Sequence, residues 1–289
     1  MTQPELAYLN GKYLPRHEAK ISPMDRGFLF GDAIYEVVPC HHRKPIGLQR
    51  HIDRLQRNLK AIGITANKSD NYWRSVINTL AQDSPTEHCG IYLHVSRGEA
   101  PKRHHTYNND LTPTEFAYSF QIAPPPSSAN KPSMGLKLKS QEDLRWLHCD
   151  VKVTALLGNV LHYQHAVDAG FDEALLYRPG GKITEASASN VFCIKDATIY
   201  TPVLDHTLLP GITRGLIIDV LRDNSSLTVS EQDLTLQDFL EADEVWLSSS
   251  TREIAPVVQI DERIIGSGET GPIWATVIDL FQKHKYEYA

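Results

Sequence analysis

Three consecutive prolines, Pro124-Pro125-Pro126, followed by small polar residues as far as Pro132, interrupt the chain near its middle. Proline fixes φ and removes a backbone donor, so neither a helix nor a central strand crosses such a run. The stretch reads as a semi-rigid linker. The 289 residues then divide into a smaller N-terminal α/β domain over 1–123, a linker over 124–132 and a larger C-terminal domain over 133–289. Each of the two domains is long enough to bury a core of its own.

The periodicity on either side of the break is mixed. Asn10-Gly11 lies between the short apolar runs Leu6 to Leu9 and Lys12 to Leu14 and predicts a hairpin. β-branched and aromatic residues over 31–38, 90–95 and 115–122 predict strands. Between them, Ile52, Leu55, Leu59 and Ile62 recur at helical spacing, and a second helix is expected over 72–81. Beyond the linker, Gly135 to Lys139 alternates as a strand does. Val153, Leu156, Leu157, Val160 and Leu161 form an apolar helical stripe. Runs at 174–177, 182–194 and 197–201, with a Pro179-Gly180-Gly181 turn, suggest an antiparallel meander. A helix opens near Gly211, and Glu244-Val245-Trp246-Leu247 is a buried strand that ends in Ser248-Ser249-Ser250-Thr251.

Bulk properties narrow the function. The net charge of -6 and the short basic clusters at 41–44 and 102–105 argue against a nucleic-acid surface. Cys40, Cys89, Cys149 and Cys193 are far apart and form no C-x-x-C pair, which disfavours disulfide frameworks and zinc sites and fits a reducing, cytoplasmic setting. No apolar run approaches the length of a membrane span, and residues 1–10 lack a basic start followed by an apolar core. No phosphate-binding glycine motif, H-E-x-x-H helix or G-x-S-x-G elbow is present, so no metal is expected and the common hydrolase and dehydrogenase chemistries are disfavoured.

Four local features remain. Lys152 precedes an apolar helix; partial burial would lower its amine pKa and make it a nucleophile toward aldehydes. Glu185 is the single acid in a run of small and hydroxyl residues, Thr184-Glu185-Ala186-Ser187-Ala188-Ser189-Asn190. A buried carboxylate there needs a cationic or proton-donating partner, and a pyridinium nitrogen would supply one. Leu209-Pro210-Gly211-Ile212-Thr213-Arg214 opens a helix whose free N–H groups suit a phosphate, and Ser249-Ser250-Thr251 could complete the cup. Taken singly, each has a plain alternative: a solvated lysine, a surface strand acid, a capping Thr213, a simple turn.

Together these segments resemble fold-type IV pyridoxal-phosphate enzymes, and most closely the D-amino acid aminotransferases. The matching blocks run from Asp25-Arg26-Gly27 through Tyr35-Glu36-Val37, over Arg50-His51-Ile52-Asp53-Arg54-Leu55, Glu142-Asp143-Leu144-Arg145-Trp146 and Cys149-Asp150-Val151-Lys152, and on through the Glu185 to Phe192 run and Gly211-Ile212-Thr213-Arg214. The resemblance covers nearly the whole chain. It implies an α/β (α+β) fold of two domains with pyridoxal 5′-phosphate in the cleft between them, and a homodimer. Lys152 would carry the cofactor as a Schiff base and then shuttle the substrate proton. Glu185 would pair with the pyridine nitrogen, with Ser187 and Ser189 supporting it and Leu209 against the ring. Arg54, Ile212, Thr213 and Ser250 would hold the phosphate. Tyr35 would lie near the substrate and Glu36 near Lys152.

The family's α-carboxylate grip, an arginine and a histidine two residues later reaching in from the partner subunit, falls on Arg103 and His105 if one extra residue is allowed before them. Without that residue it falls on Lys102 and His104. A lysine lacks the planar fork of arginine, which favours Arg103 and His105. The expected reaction is transamination between a D-amino acid and a 2-oxo acid such as 2-oxoglutarate. 4-Amino-4-deoxychorismate lyase is the main rival within the fold; branched-chain L-amino acid aminotransferase and an inactive binding protein are weaker ones.

Overall fold

The computed structural model describes residues 5–130 and 135–288. The described chain splits into two compact units. The first extends to Pro124 and also takes in Val151–Leu156; the second comprises Pro125–Asp150 and Leu157–Tyr288. Of the linker expected over 124–132, residues 131 and 132 lie outside the described residues.

In the first unit the order is β1 (Leu6–Leu9), β2 (Lys12–Pro15), α1 (Arg26–Phe30), β3 (Ala33–His41), β4 (Lys44–Pro45), α2 (Leu48–Ala61), α3 (Asp70–Asp83), β5 (His88–Ser96) and β6 (Thr114–Gln121). Asn10 and Gly11 take φ of 48° and 88°, the left-handed pair that a two-residue hairpin requires, so the β1–β2 turn forms as expected. The strands build a six-stranded sheet in the order β2-β1-β6-β5-β3-β4. Helix α2 lays Ile52, Leu55 and Leu59 against Ile34, Val38 and Leu93 in one buried cluster. Each such side chain contributes roughly 1.5–3 kcal/mol by leaving water.

The second unit continues with β7 (Leu136–Glu142), α4 (Leu157–Asp168), β8 (Glu173–Tyr177), β9 (Ile183–Ala186), β10 (Asn190–Lys195), β11 (Thr198–Pro202), α5 (Ile212–Asn224), β12 (Val229–Gln232), α6 (Leu236–Leu240), β13 (Glu244–Ser249), β14 (Glu253–Ile260), β15 (Arg263–Ile264) and α7 (Pro272–His284). Its sheet runs β12-β11-β10-β13-β14-β7-β8-β9, with β15 paired to β14. Residues 174–201 do not form the expected meander. The run 182–194 is two strands: β9 pairs with β8, whereas β10 lies between β11 and β13. Strands β7 and β8 are parallel because α4 lies between them in the chain, and a parallel pair needs such a crossover.

A second correction concerns the stripe beginning at Val153. Val153 is extended and bridges Ile34 of β3; the helix begins only at Leu157. Leu157, Val160 and Leu161 are exposed by 70%, 56% and 48%, so this stripe is not a core face of the chain. A third difference follows. Lys152, placed by the linker argument among residues 133–289, belongs to the compact unit built around β3. Backbone pairing to β3, not proximity in sequence, decides that membership.

Candidate active site

In the first unit the site is built on β3, α2 and the extended strip at 151–156. Tyr35 N–H donates to the Lys152 carbonyl at 3.1 Å, and Thr154 N–H donates to Ala33 at 3.0 Å, so the strip is pinned alongside β3. Gly31 makes this possible: at φ 67° it turns the chain into β3, and a Cβ there would meet Ala155 Cβ at 2.9 Å. Lys152 is a half-buried residue, and its amine stands 4.1 Å from the centre of the Tyr35 ring.

The neighbouring β3 residue, Glu36, points the other way into the interior. Arg54 from α2 donates Nε and Nη2 to its two oxygens, each at 2.7 Å, and His51 Nδ1 stands 2.7 Å from Oε2. All three side chains are buried. Burial works against the charge of Glu36, but the Arg54 guanidinium and His51 more than offset it and hold the carboxyl well below the usual range. Burial lowers His51 most; the positive charges of Arg54 and Lys152 act in the same direction, against the pull of Glu36.

In the second unit, Glu185 on β9 is buried. Arg145 Nη1 donates to Oε1 at 2.7 Å, while Leu209 N–H and Asn190 Nδ2 donate to Oε2 at 3.0 and 3.2 Å. Asp143 holds Arg145 through two parallel hydrogen bonds of 2.9 Å. Burial raises the Glu185 carboxyl above the ordinary value, opposed by Arg145 and by the Leu209 N–H. Asn190 Nδ2 also donates to the Leu209 carbonyl at 2.8 Å, fixing the approach to α5. Gly211 is the N-cap of α5, without a side-chain cap, and a Cβ there would collide with Asn190 Oδ1 at 1.9 Å. The first turn therefore carries Ile212 and Thr213 with backbone N–H groups available to an anion. Asn190 faces Ser248 across the β10–β13 ladder, which sets Ser250 just past the end of β13 beside this strand.

Among the described residues, the Ser187 and Ser248 hydroxyls are buried without a hydrogen-bond partner. Buried hydroxyls are ordinarily satisfied, so these two are available to a ligand. Taken by itself, each unit offers groups of the kind pyridoxal 5′-phosphate needs: in the first, an amine for the aldehyde; in the second, a buried acid held by three donors for the ring nitrogen and an uncapped helix start for the phosphate, with two unsatisfied hydroxyls on the neighbouring segments.

In one unit the structure thus brings Arg54 and His51 onto Glu36, and the Lys152 amine over Tyr35. In the other it brings together Glu185, Leu209, Ile212 and Thr213, with Ser250 at the end of the neighbouring strand. Ser189 Oγ is turned to the buried Glu173, at 3.4 Å, and its neighbour Ala188 N–H donates to the same carboxylate at 2.8 Å. Arg103 and His105 stand on an exposed loop of the first unit.

Sequence reasoning gave no role to His51, Asn190 or the Asp143–Arg145 pair. A signal existed for His51: it falls, with Arg54, inside the apolar stripe of α2, and polar residues in a buried stripe call for partners. Arg145 offers no periodic signal, since its partner Glu185 is 40 positions away.

Residues 33–260 match the family model "Amino-transferase class IV". D-alanine aminotransferase from Bacillus licheniformis is 37% identical over 268 residues, 93% of each chain. The protein of the same name from Staphylococcus haemolyticus is 33% identical, covering 96% of each. Among solved structures, the branched-chain amino acid aminotransferase of Escherichia coli superposes with a TM-score of 0.88 at 21% identity, covering 99% of this chain and 96% of that one. The branched-chain enzyme of Thermoproteus uzoniensis, solved with norvaline, gives 0.84 at 21%, covering 98% and 95%. At such identities these two speak for the fold alone. With the family model spanning most of its length and relatives above 30% identity along nearly all of it, the chain belongs to the class IV aminotransferases.

Proposed function

We propose that this protein is a pyridoxal-phosphate-dependent transaminase that exchanges the amino group between a D-amino acid of the D-alanine type and a 2-oxo acid such as 2-oxoglutarate. The observation that carries this reading is the 33–37% identity, over nearly the whole chain, to proteins named D-alanine aminotransferase.

When bound, the cofactor supplies an electron sink for the pair left as the substrate Cα loses its proton. Lys152 would hold it covalently through its amine, and the same amine, already in place, would move the Cα proton, so one side chain serves as anchor and as acid/base. Glu185 would accept the hydrogen bond of a protonated ring nitrogen. Arg145 and Asn190 keep that carboxylate from turning away. The N–H groups of Ile212 and Thr213, the Thr213 and Ser250 hydroxyls and Arg54 would take the phosphate. Ser187, whose hydroxyl is unsatisfied, and Ser189 would back the cofactor, with Leu209 against the ring. Tyr35, lying over Lys152, would border the substrate. Arg103 and His105 would grip the α-carboxylate, reaching into the site of a partner subunit.

A homodimer forms part of this reading, supported by the exposed apolar side chains of α4 together with Leu144, Trp146 and Leu147. A reducing, cytoplasmic setting is supported by four buried cysteines, all of them free thiols. Among the described residues, no helix is long and apolar enough to cross a membrane.

The test is incubation of the cofactor-loaded protein with D-alanine and 2-oxoglutarate, following pyruvate and D-glutamate. Absence of both products at saturating substrate rejects the proposal. Pyruvate released from 4-amino-4-deoxychorismate with no amino acceptor present would instead identify a lyase.

A further inference from the structure

The loop bearing Arg103 and His105 is exposed throughout residues 101–110, yet its backbone is tied down by one buried side chain. Arg26, in the five-residue helix α1, is 4% exposed. Its Nη1 donates to the His104 carbonyl at 2.6 Å and to Thr106 at 3.4 Å, and its Nη2 donates to the His105 carbonyl at 3.0 Å. Nε donates to Asp32 at 2.8 Å, which leaves the guanidinium little freedom to swing away from the loop. Asp32 is in turn held by Arg97 at 2.7 and 2.9 Å, and Tyr107 stacks on Arg97, its ring centre 3.5 Å from Cζ.

The far end of α1 orients the side chains. Phe30 has the Arg103 guanidinium 5.0 Å from its ring centre and the His105 ring 5.6 Å away; Arg26 itself lies 4.8 Å off. Arg103 and His105 therefore share one face of the loop, packed on one aromatic ring. His104 turns elsewhere, with Nδ1 2.7 Å from Thr106 Oγ1. The helix that presents Arg26 and Phe30 is itself fixed: Asp25 accepts the Gly27 N–H at 2.7 Å, and Gly31 ends the helix in the left-handed conformation.

We propose that Arg26 and Phe30 are positioning residues for α-carboxylate recognition, Arg26 fixing the loop backbone at 104–106 and Phe30 holding Arg103 and His105 side by side for a carboxylate. This rests on the transaminase reading above. Neither residue touches the reacting atoms. A planar, paired grip on a carboxylate is sensitive to displacement, and a shift of about 1 Å costs on the order of 100-fold.

The test uses the full chain as Arg26→Gln, Phe30→Leu and Phe30→Tyr variants. Without substrate, trypsin should cut after Lys102 and Arg103 roughly tenfold faster in Arg26→Gln than in the parent, with cleavage elsewhere unchanged. With cofactor bound, Arg26→Gln and Phe30→Leu should raise KM for D-alanine and for 2-oxoglutarate by about 10- to 100-fold and leave kcat within about threefold. Phe30→Tyr, which keeps the aromatic face, should restore the parental KM. A primary amine lacking a carboxylate should react in a single turnover equally fast with parent and variants. An unshifted KM, or an equal loss with that amine, overturns the proposal. A parent protein inactive on every amino donor overturns the transaminase reading as well, whereas an active parent with unshifted variants overturns this inference alone.

Discussion

Glu36 and Glu185 are both buried acids, and their surroundings push them in opposite directions. Glu36 has Arg54 and His51 on its oxygens and is held below the ordinary carboxylate value; Glu185, despite Arg145, is raised by burial. For Glu36 the unfolded chain binds the proton more readily, so its contribution to stability is present in full above the unfolded value of about 4.3. That contribution shrinks as pH falls below this value and is gone once pH passes the folded one. Glu185 has the reverse sign: between its unfolded and folded values the native state binds the extra proton, so stability declines as pH rises through that window. Glu36→Gln should therefore flatten the acid limb of a urea-unfolding series. Glu36→Ala, which leaves Arg54 buried without its carboxylate, should cost about 3–5 kcal/mol at neutral pH. At the chemical centre, Lys152→Ala should abolish the visible absorption of the loaded protein and lower turnover by at least roughly 10²- to 10⁴-fold, read as pyruvate formation. Retention of both signals would remove Lys152 from the site.

At the scale of elements, two glycines decide where chemistry-bearing segments lie. Gly211 lets the start of α5 close on Asn190, the residue that also holds Glu185 and the Leu209 carbonyl. Gly211→Ala should push Asn190 aside and weaken cofactor binding by at least about tenfold in an absorbance titration, since both the acid and the helix start lose their support. Gly31 has a positive φ and lies against Ala155. Gly31→Ala should destabilise the protein by about 1–3 kcal/mol and reduce activity, because the strip carrying Lys152 must move. An unchanged melting curve and rate would show that the strip is not held there.

At the scale of the whole molecule, Leu157, Val160 and Leu161 lie uncovered on one stretch of α4, a costly arrangement for a chain that works alone. If they form the subunit contact, the protein sediments as a dimer, and Val160→Asp shifts it to monomer while lowering transaminase activity. A protein that sediments as a monomer with full activity would remove the dimer and the trans-acting Arg103 together.

Local order was legible in the sequence because it depends on neighbours a few residues apart. The Asn10-Gly11 turn, the α2 stripe and the strands expected at 90–95 and 115–122 all formed where local residue type and spacing placed them. The residue types fitting an aldehyde cofactor were legible too, since an amine, an isolated acid and a helix start are local features. Tertiary structure alone decided their partners. Lys152 joins β3 across more than a hundred residues, Glu185 is held by Arg145 from 40 positions away, and His104 to Thr106 hang on Arg26 from 78 to 80 positions away. Periodicity records which face of an element is apolar. It does not record which distant charge will meet a buried one, and that choice is made only when burial forces each polar group to find a partner.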